Sequence, residues 1–356
     1  MLNFAHLFTI QPMLKDIMTE EQRVLLEKII RESATIVCVC HQNPDGDALG
    51  SCLAMAELLR TVYGKEAQMM VPDQYPDYLQ WLPNSEKIIR YDKHRESCDG
   101  VLMHADLIFC LDFNTARRTA DMESVLCASP ARKVLIDHHL DPDVKTLVTL
   151  SRPQASSTCE LVFRLVWQLG CFDQLGRHFA VPIYCGMMTD TGAFTYNSGD
   201  PEIYFIISQL LTKRINKDKI YRNVYHNFSE HRLRLLGFVM YKRLVVDADR
   251  HASYFTLSRA DLRRFRFLKG DAEGLVNMPL QMRGHRLSIS LREDTEKDNL
   301  VWVSLRSVDS FPCNEMAAQF FNGGGHLNAA GGRINGTLEE AVATAKRAIE
   351  AFKDQL

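Results

Sequence analysis

The chain has 356 residues, which points to two domains because a single hydrophobic core stops growing at about 250 to 300 residues. Hydrophobic residues make up 46% of it and charged residues 24%, a balance that excludes a disordered or fibrous chain. The formal net charge is only −2, so the overall charge does not indicate a nucleic-acid partner.

Targeting and redox features indicate a cytoplasmic protein. Residues 1–14 are apolar, but they lack the basic segment and the small-residue cleavage site of a secretory signal. No apolar run is long enough to span a bilayer, so we expect no membrane partner. The ten cysteines fall at irregular spacings, which favours buried free thiols over a disulfide framework or a zinc site.

The first two thirds of the chain alternate short apolar runs with segments of helical periodicity, which is typical of an α/β domain with a largely parallel sheet. An extension is predicted over residues 1–30, with a helix that begins near Thr19, and the α/β domain follows over residues 31–200. The predicted strands are Thr35–Cys40, Ala67–Val71, Leu107–Asp112 and Lys133–Asp137, and the predicted helices are Ala48–Tyr63 and Ser156–Leu169.

A helical connector is predicted over residues 201–247. It is basic, since the stretch from Leu211 to Arg243 contains nine lysines and arginines against two acidic residues. A solvated helical face and a groove for a nucleic-acid backbone would each explain this charge. A smaller α+β domain is predicted over residues 248–356. Its predicted strands are Ala252–Leu257, Arg286–Leu291 and Val301–Arg306, and its last helix is Leu338–Phe352.

The first group of chemically distinctive residues follows the first predicted strand. His41, Asp45 and Asp47 lie on a turn that Pro44 and Gly46 favour. An imidazole and two carboxylates this close together can converge on divalent cations. An ordinary polar turn is the alternative, because Asp47 precedes an apolar helix and can cap it.

Two further predicted strands end in similar groups. Asp112 ends the third strand, and Asp137, His138 and His139 end and follow the fourth. Because the carboxyl ends of parallel strands meet at one edge of a sheet, we expect these side chains to lie near the first group. Asp190 follows a later apolar stretch. Acids and imidazoles from several elements favour a metal site over a set of unrelated polar turns.

With these motifs the chain resembles the DHH phosphoesterases, in the branch that carries a C-terminal DHHA1 domain. The matching motifs, in chain order, are His41-x-x-x-Asp45-x-Asp47, Asp112, Asp137-His138-His139, Asp190-Thr191-Gly192, Gly323-Gly324-Gly325-His326 and Ala329-Ala330-Gly331-Gly332. Their order and the chain length are similar to those of the bifunctional oligoribonuclease and 3'-phosphoadenosine 5'-phosphate (pAp) phosphatase subgroup. The resemblance implies a catalytic DHH domain over residues 31–200 and a substrate-binding DHHA1 domain over residues 248–356.

The resemblance further implies a catalytic centre with two Mn²⁺ ions, for which Mg²⁺ or Co²⁺ can substitute. The six implied ligands form two sets that share a bridging Asp112: His41 and Asp45 for one ion, and Asp47, His138 and Asp190 for the other. Carboxylates and imidazoles without thiolates suit Mn or Mg better than a structural zinc. Two ions at about 3.5 to 4 Å would activate a water for attack at phosphorus.

Other residues near these motifs have implied roles in catalysis. Asp137 is expected to orient an imidazole, as metal-bound histidines usually need such a partner. His139 is a candidate for contact with the phosphoryl group or the leaving oxygen, and a structural histidine is the alternative. An arginine can bind phosphate oxygens with its planar fork. The resemblance favours Arg118, but Arg117 stays open because Phe113–Asn114 departs from the small residues expected there.

Substrate binding is assigned to the C-terminal domain by the same resemblance. The implied residues are Arg306, Gly323, Gly324, Gly325, His326 and Arg333. Glycines permit close approach of a ligand to the backbone, and successive amides can bind an anion. In the N-terminal domain, Phe194 and Tyr196 would either stack on a base or belong to the core.

The expected function is hydrolysis of short oligoribonucleotides (nanoRNA) and pAp by a metal-dependent, exo-acting phosphoric ester hydrolase. A cyclic-dinucleotide phosphodiesterase or a pyrophosphatase-like hydrolase is the alternative within the same chemistry, and the glycine and histidine motif favours a nucleotide over bare pyrophosphate. A non-catalytic nucleic-acid-binding protein is the alternative in another class. Intact ligands at all six positions argue against it.

Overall fold

A computed structural model describes residues 14–268 and 270–356. These residues form two compact units with a boundary between Asn227 and Phe228. Residues 1–13 of the predicted extension lie outside the described residues. In the described parts of the chain, no helix combines the length and the apolar character that crossing a membrane requires.

The first unit contains a six-stranded, all-parallel sheet in the order β3-β2-β1-β4-β5-β6. Its strands are β1 (Ile36–Val39), β2 (Ala67–Val71), β3 (Ile89–Arg90), β4 (Leu107–Leu111), β5 (Arg132–Asp137) and β6 (Val148–Ser151). Its helices are α1 (Glu20–Glu32), α2 (Gly46–Tyr63), α3 (Arg95–His104), α4 (Glu123–Ala128), α5 (Thr158–Gln168), α6 (Arg177–Asp190), α7 (Pro201–Thr212) and α8 (Lys217–Tyr225). The predicted parallel α/β fold is confirmed.

The apolar sequence of the central strands explains how this sheet is covered. All residues of β1 and β4 are buried. Because alternate side chains of a strand point to opposite faces, Cys38 packs in a core with α2, α5 and α6, whereas Val37 and Val39 pack in a second core with α3 and α4. A parallel sheet with helices on both faces therefore has continuously apolar strands.

Two edge strands of this sheet were not predicted from the sequence. β3 has two residues, which is too short to show a periodicity. β6 lies at the other edge, where buried and exposed positions alternate over four residues. The central strands were predicted within one or two residues because burial on both faces makes their apolar runs continuous.

The strand order reverses between β1 and β4, at the centre of the sheet. From β1 the chain runs outward through β2 and β3, and then returns to β4 and runs outward through β5 and β6. Open α/β sheets bind ligands in the crevice at such a reversal, beyond the carboxyl ends of the strands. β1 ends at Val39 and β4 at Leu111, so His41 and Asp112 lie beside this crevice.

The second unit contains a mixed six-stranded sheet in the order β11-β12-β10-β9-β8-β7, in which only β8 and β9 are parallel neighbours among the described strands. Its strands are β7 (Leu244–Asp247), β8 (Ala252–Leu257), β9 (Leu287–Glu293), β10 (Leu300–Ser307), β11 (Gly324–His326) and β12 (Ala329–Asn335). Its helices are α9 (Glu230–Phe238), α10 (Arg259–Arg264), α11 (Cys313–Phe320) and α12 (Leu338–Ala351). The predicted α+β fold is confirmed, although the glycines of β11 and β12 hid these strands in the sequence.

The two faces of the second sheet differ in chemistry. Ile289, Val303 and Leu305 pack with α11 and α12 in one core. Residues one position away in the strands point to the other face, and these include Ser304 and Arg306. One face is therefore packed in this core. The other face carries a second core, in which Phe255 and Leu257 of β8 pack with α9 and α10, and it presents polar and basic side chains at β10.

Candidate functional site

Asp112 directly follows β4 and has a left-handed backbone, with a φ of 64°. Its amide donates a hydrogen bond to the carbonyl of Ile136 on β5 at 3.1 Å. This conformation is uncommon for residues other than glycine, and aspartate is one of those that adopt it most readily. The side chain is 2% exposed, so the turn delivers a buried carboxylate to the crevice.

His41, Asp45 and Asp112 form the first group of converging side chains. His41 Nε2 lies 3.4 Å from Asp112 Oδ2 and 3.8 Å from Asp45 Oδ2. One ligand atom of each residue lies within 4.8 Å of those of the other two. Asp45 Oδ1 accepts from the amides of Asp47 and Ala48 at 3.0 Å each. Asp45, and not Asp47, is therefore the cap of α2.

Asp47, Asp112 and His138 form the second group, again with one ligand atom of each within 4.8 Å of the others. His138 Nε2 lies 3.5 Å from Asp112 Oδ1 and 3.9 Å from Asp47 Oδ2. It also lies 3.4 Å from Oδ2 of Asp190. The structure thus brings all six predicted ligands together, and the two carboxylate oxygens of Asp112 face different histidines.

The two histidines are held in the same way. His41 Nδ1 lies 2.7 Å from the carbonyl oxygen of Gln42, and His138 Nδ1 lies 3.3 Å from that of Ala155. Each ring can donate from Nδ1 to a backbone carbonyl while Nε2 faces the carboxylates. Metal-ligating histidines are commonly oriented by such a bond.

Glycines allow α2 and α6 to approach closely, which brings Asp47 and Asp190 together. A Cβ added at Gly50 would lie 2.6 Å from the carbonyl oxygen of Pro182 on α6. A Cβ added at Gly186 would lie 2.9 Å from Asp47 Oδ1. Any larger residue at either position would separate the helices that carry these two carboxylates.

The N-terminus of α5 holds two of the carboxylates, a role that was missed in the sequence. The amides of Thr158 and Cys159 donate to Asp47 at 2.6 and 2.8 Å. The Thr158 hydroxyl donates to Asp112 Oδ1 at 2.9 Å. Free amides at a helix N-terminus favour a negative charge. The cap residue Ser157 marks this helix start in the sequence, but its partners come from distant segments.

A buried ion-pair network anchors the same end of α5. Glu160 accepts from the amide and the hydroxyl of Ser156 at 2.7 and 2.6 Å. Arg164 is buried and pairs with both Glu160 and Glu202. These contacts fix the first turn of α5, whose amides bind Asp47.

The electrostatics of the cluster indicate that its donors fit cations. Burial, and then the charges of Asp112 and Asp190, raise the pKa of Asp47 well above its usual range. Burial raises the pKa of Asp190 to about 7, and the charges of Asp45 and Asp112 add to this effect. Burial disfavours the charged form of His138, but the carboxylates around it raise its pKa to about 9. Carboxylates whose charged form is disfavoured by burial and by one another are stabilised by nearby positive charge, and hard divalent cations suit these donors.

His139 belongs to a separate pair with Asp137. His139 Nδ1 donates to Asp137 Oδ1 at 2.7 Å, and the His139 amide donates to Oδ2 at 3.1 Å. Asp137 is fully buried. His139 Nδ1 also lies 3.8 Å from Asp112 Oδ1. Asp137 therefore orients His139 at the edge of the cluster, whereas a backbone carbonyl orients His138.

Two observations place Arg118 beside the cluster. The carbonyl of Arg118 accepts a hydrogen bond from the amide of Gln42 at 2.6 Å, which ties its loop to the His41 turn. Burial and the charge of Arg118 both act to lower the pKa of His41, although the nearby carboxylates outweigh them and raise it to about 9. Arg117 is exposed. Arg118 is therefore the arginine that lies beside the His41 turn.

Phe194 and Tyr196 have different environments. Phe194 is half-buried, and its ring centroid lies 5.7 Å from that of Tyr184. Tyr196 is 53% exposed, and a Cβ added at Gly192 would lie 2.2 Å from its ring. Phe194 packs against the core, and Tyr196 presents an exposed aromatic surface.

In the second unit, Arg306 and His326 share the polar face of the sheet. Arg306 on β10 pairs with Ala329 on β12, and Ala329 pairs with His326 on β11. Paired residues of antiparallel strands point to the same face, and Arg333 joins them because it lies four residues after Ala329. The small side chain of Ala329 leaves space between the arginine and the histidine.

The glycine run, which the sequence suggests to be a loop, forms β11 and the residue before it. A Cβ added at Gly323 would lie 1.9 Å from the carbonyl oxygen of Gly331, and one at Gly325 would lie 2.5 Å from a carbonyl oxygen of β12. Gly325 also has a φ of 146°. A Cβ at Gly324 would meet no heavy atom of the described residues within 4 Å. Gly323 and Gly325 serve strand packing, and Gly324 leaves open space.

Comparison with known families identifies the class of protein. The DHH family, N-terminal domain, matches residues 35–187, and the DHHA1 domain matches residues 258–353. Together these matches cover more than half of the chain, which belongs to the DHH phosphoesterase family and carries a DHHA1 domain. This is a family of metal-dependent hydrolases, in agreement with the buried cluster of acids and histidines.

Particular relatives cover almost the whole chain. The bifunctional oligoribonuclease and PAP phosphatase NrnA of Thermus thermophilus is 26% identical over 342 residues, with 95% of both chains covered. The protein of the same name from Bacillus subtilis is 25% identical over 307 residues, which cover 84% of this chain and 89% of the relative. The crystal structure of an exopolyphosphatase-related protein from Bacteroides fragilis is 46% identical, with a TM-score of 0.91, and covers 96% of this chain and 99% of that one.

Proposed function

We propose that the protein hydrolyses the phosphate esters of short oligoribonucleotides and of pAp with a water activated by two divalent cations, preferably Mn²⁺. The observation that supports this best is the pair of ligand groups that share Asp112. A carboxylate with one oxygen facing each group is suited to bridge two ions. The names of the relatives from Thermus thermophilus and Bacillus subtilis indicate the same two substrates.

The proposed metal ligands are divided between the two ions in the same way as the side chains are divided between the two groups. His41 and Asp45 would hold one ion with the bridging Asp112, and Asp47, His138 and Asp190 would hold the other. When bound, the ions supply Lewis acidity at the phosphoryl oxygens and lower the pKa of a shared water. The amides of α5 keep Asp47 in place, and the Thr158 hydroxyl keeps Asp112 in place.

Two side chains at the edge of the cluster act on the substrate itself. The guanidinium of Arg118 binds non-bridging phosphate oxygens, which its planar arrangement of donors matches. His139 donates a proton to the leaving oxygen, while the hydrogen bond to Asp137 fixes the orientation of its ring. Neither role requires a covalent intermediate with the protein.

The polar face of the second sheet binds the nucleotide. Arg306 and Arg333 supply positive charge for phosphate oxygens, and His326 supplies a hydrogen bond on the same face. Gly324 allows the ligand to approach the backbone of β11 closely. Strands hold these side chains more rigidly than a loop would, which favours selective recognition.

A second candidate function is hydrolysis of a pyrophosphate bond or of a cyclic dinucleotide at the same metal cluster. It is favoured by the description of the 46% identical structure as exopolyphosphatase-related. The polar face with Gly324 and three basic side chains supports a nucleotide over bare pyrophosphate. A non-catalytic role as a nucleic-acid-binding protein is disfavoured because no member of the ligand set is missing.

A side-by-side assay tests the proposed function. The purified full chain with Mn²⁺ is offered pAp, 5'-labelled di- to pentanucleotides, cyclic di-AMP and pyrophosphate. We expect turnover of pAp and the oligonucleotides, and its loss in Asp112→Ala because both ions lose a ligand. Faster hydrolysis of pyrophosphate or of cyclic di-AMP would replace the proposal with the second candidate.

Substrate length separates this function from that of an open-ended nuclease. A nuclease that tracks the backbone through a long basic groove gains affinity with each added nucleotide. A compact polar face should instead give the highest kcat/KM for oligomers of roughly two to five nucleotides, because the protein makes all of its contacts with the first few nucleotides of the substrate. A kcat/KM that rises steadily up to about 24 nucleotides at fixed salt would contradict the proposal.

We also propose that the protein acts in the cytoplasm and that residues 201–247, which include the boundary between the two units, form the connection of its two domains. The described chain contains ten free cysteines, nine of them buried, and free thiols persist in a reducing compartment. Fractionation of cells that express the protein at its natural level tests the location.

A further inference from the structure

A cavity of about 470 Å³ lies in the first unit beside the last turn of α6. Three segments line it: α6, the turn that follows Asp190, and α8 with the residue after it. The lining includes Tyr184, Phe194, Lys217, Asp218, Tyr221 and Arg222. Pockets of about 300 to 1,000 Å³ suit small ligands and cofactors.

This cavity is separate from the metal cluster. Gly186 and Asp190 lie on the face of α6 that meets Asp47 and His138. At 3.6 residues per turn, Tyr184 and Met188 lie on the opposite face of the helix. The cavity therefore lies on the other side of α6 from the predicted metal ligands, although the turn that lines it directly follows Asp190.

Aromatic rings line the cavity on two sides. On the α6 side, the Tyr184 and Phe194 ring centroids lie 5.7 Å apart. On the α8 side, the Tyr221 ring lies 4.9 Å from that of Tyr225 and 5.2 Å from that of His226. Aromatic platforms of this kind bind planar bases without regard to their sequence.

The charge of the cavity favours an anionic ligand. Lys217 and Arg222 provide two positive charges against the single carboxylate of Asp218. Lys217 Nζ lies 2.8 Å from Asp218 Oδ1, so this carboxylate neutralises at most one of the two cations. The excess positive charge suits a phosphate.

The wall next to Asp190 has an unusual backbone. Gly192, Ala193 and Phe194 have φ values of 53°, 60° and 64°. Hydrogen bonds hold this turn, since the Ala193 amide donates to the Met188 carbonyl at 2.7 Å and the Phe194 amide donates to the Thr191 hydroxyl at 3.0 Å. Strained turns that are held in this way are common where a structure binds a ligand.

We propose that this cavity is a second nucleotide site, which binds a nucleoside monophosphate with its base against the aromatic walls and its phosphate near Lys217 and Arg222. The choice of ligand rests on the proposed function, because hydrolysis of short oligonucleotides releases mononucleotides. The location, the aromatic walls and the charge do not depend on that function.

Photolabelling tests the site in the full-length protein without metal, so that no hydrolysis occurs. The probe is 8-azido-AMP, and labelled peptides are mapped by mass spectrometry in the His326→Ala background to weaken binding at the second unit. We expect label in residues 217–226. Tyr221→Ala should weaken AMP binding roughly ten-fold or more in calorimetry, because one stacking partner is lost. Tyr204→Ala on α7 removes a similarly exposed tyrosine away from the cavity and is the matched control.

Each outcome decides for or against the site. Label in residues 217–226 that Tyr221→Ala removes and Tyr204→Ala retains supports it, even if the protein proves to have no oligoribonuclease activity. AMP that labels only other segments, or does not bind, overturns the site and leaves the proposed function to be judged by hydrolysis alone. Arg222→Glu provides a second variant, and unchanged AMP affinity in both variants also overturns the proposal.

Discussion

Thr158→Val should weaken metal binding without unfolding the protein. The substitution removes one buried hydroxyl and nearly preserves the shape of the side chain. The hydroxyl donates to Asp112 Oδ1 at 2.9 Å, and Asp112 is the residue shared by the two ligand groups. The backbone amides of Thr158 and Cys159 still reach Asp47 in the variant, so only the carboxylate of Asp112 loses a partner.

The size of the effect follows from the burial of both groups. A hydrogen bond to a charged group contributes about 1.5 to 3 kcal/mol, and a buried acceptor left without its donor adds to the cost. Outer partners of metal ligands typically change affinity or activity by roughly 10- to 100-fold. We therefore expect Mn²⁺ affinity to fall by a factor in this range, with a similar fall in kcat.

Calorimetric titration of the metal-free protein with Mn²⁺ measures this effect, and electron paramagnetic resonance reports whether the two ions are coupled. Thr158→Ser retains the hydroxyl and should recover most of the affinity, whereas Thr212→Val on an exposed part of α7 is a control for the substitution itself. If Thr158→Val bound two ions as tightly as the native protein, or if Thr158→Ser were equally defective, the assignment of this hydroxyl would be refuted.

Other variants and conditions test the remaining assignments. Arg118→Ala should lower kcat/KM by roughly 10- to 100-fold through loss of a charged hydrogen bond to phosphate, whereas Arg117→Ala should change it by less than about three-fold; equal effects in steady-state kinetics would contradict the choice of Arg118. His326→Ala should raise KM for nucleotides and leave the Mn²⁺ stoichiometry in calorimetry unchanged, and a loss of bound metal would show a structural role instead. The pKa values of His41 and His138 are about 9 in the folded, metal-free protein, above the usual value near 6.5, so the folded state binds more protons than the unfolded state. The metal-free protein should therefore lose thermal stability as the pH rises from about 6.5 to 9, and saturating Mn²⁺ should reduce this pH dependence. A melting temperature of the metal-free protein that stays constant or rises over this pH range would contradict the raised pKa values of the two histidines.

The local sequence pattern was sufficient to predict the central strands of the parallel sheet. The strands that are buried on both faces have continuous apolar runs, and the groups His41, Asp112 and Asp137 were expected at one sheet edge because each follows or ends such a strand. The structure places them there. Short edge strands and the glycine-rich β11 and β12 were missed because their pairing depends on neighbours that are distant in the sequence.

The sequence alone determined the fold class, the family motifs and the chemistry of the donors, because strand periodicity and residue type are local properties. Tertiary structure decided which oxygen of Asp112 faces which histidine, that Asp45 caps α2, and that Asp137 orients His139. It also brought the start of α5 to the carboxylates and placed an aromatic cavity behind α6. The contact of α5 with Asp47 depends on the close packing of segments that are distant in the sequence, since Asp47 and Cys159 are 112 residues apart, and no local pattern specifies that packing.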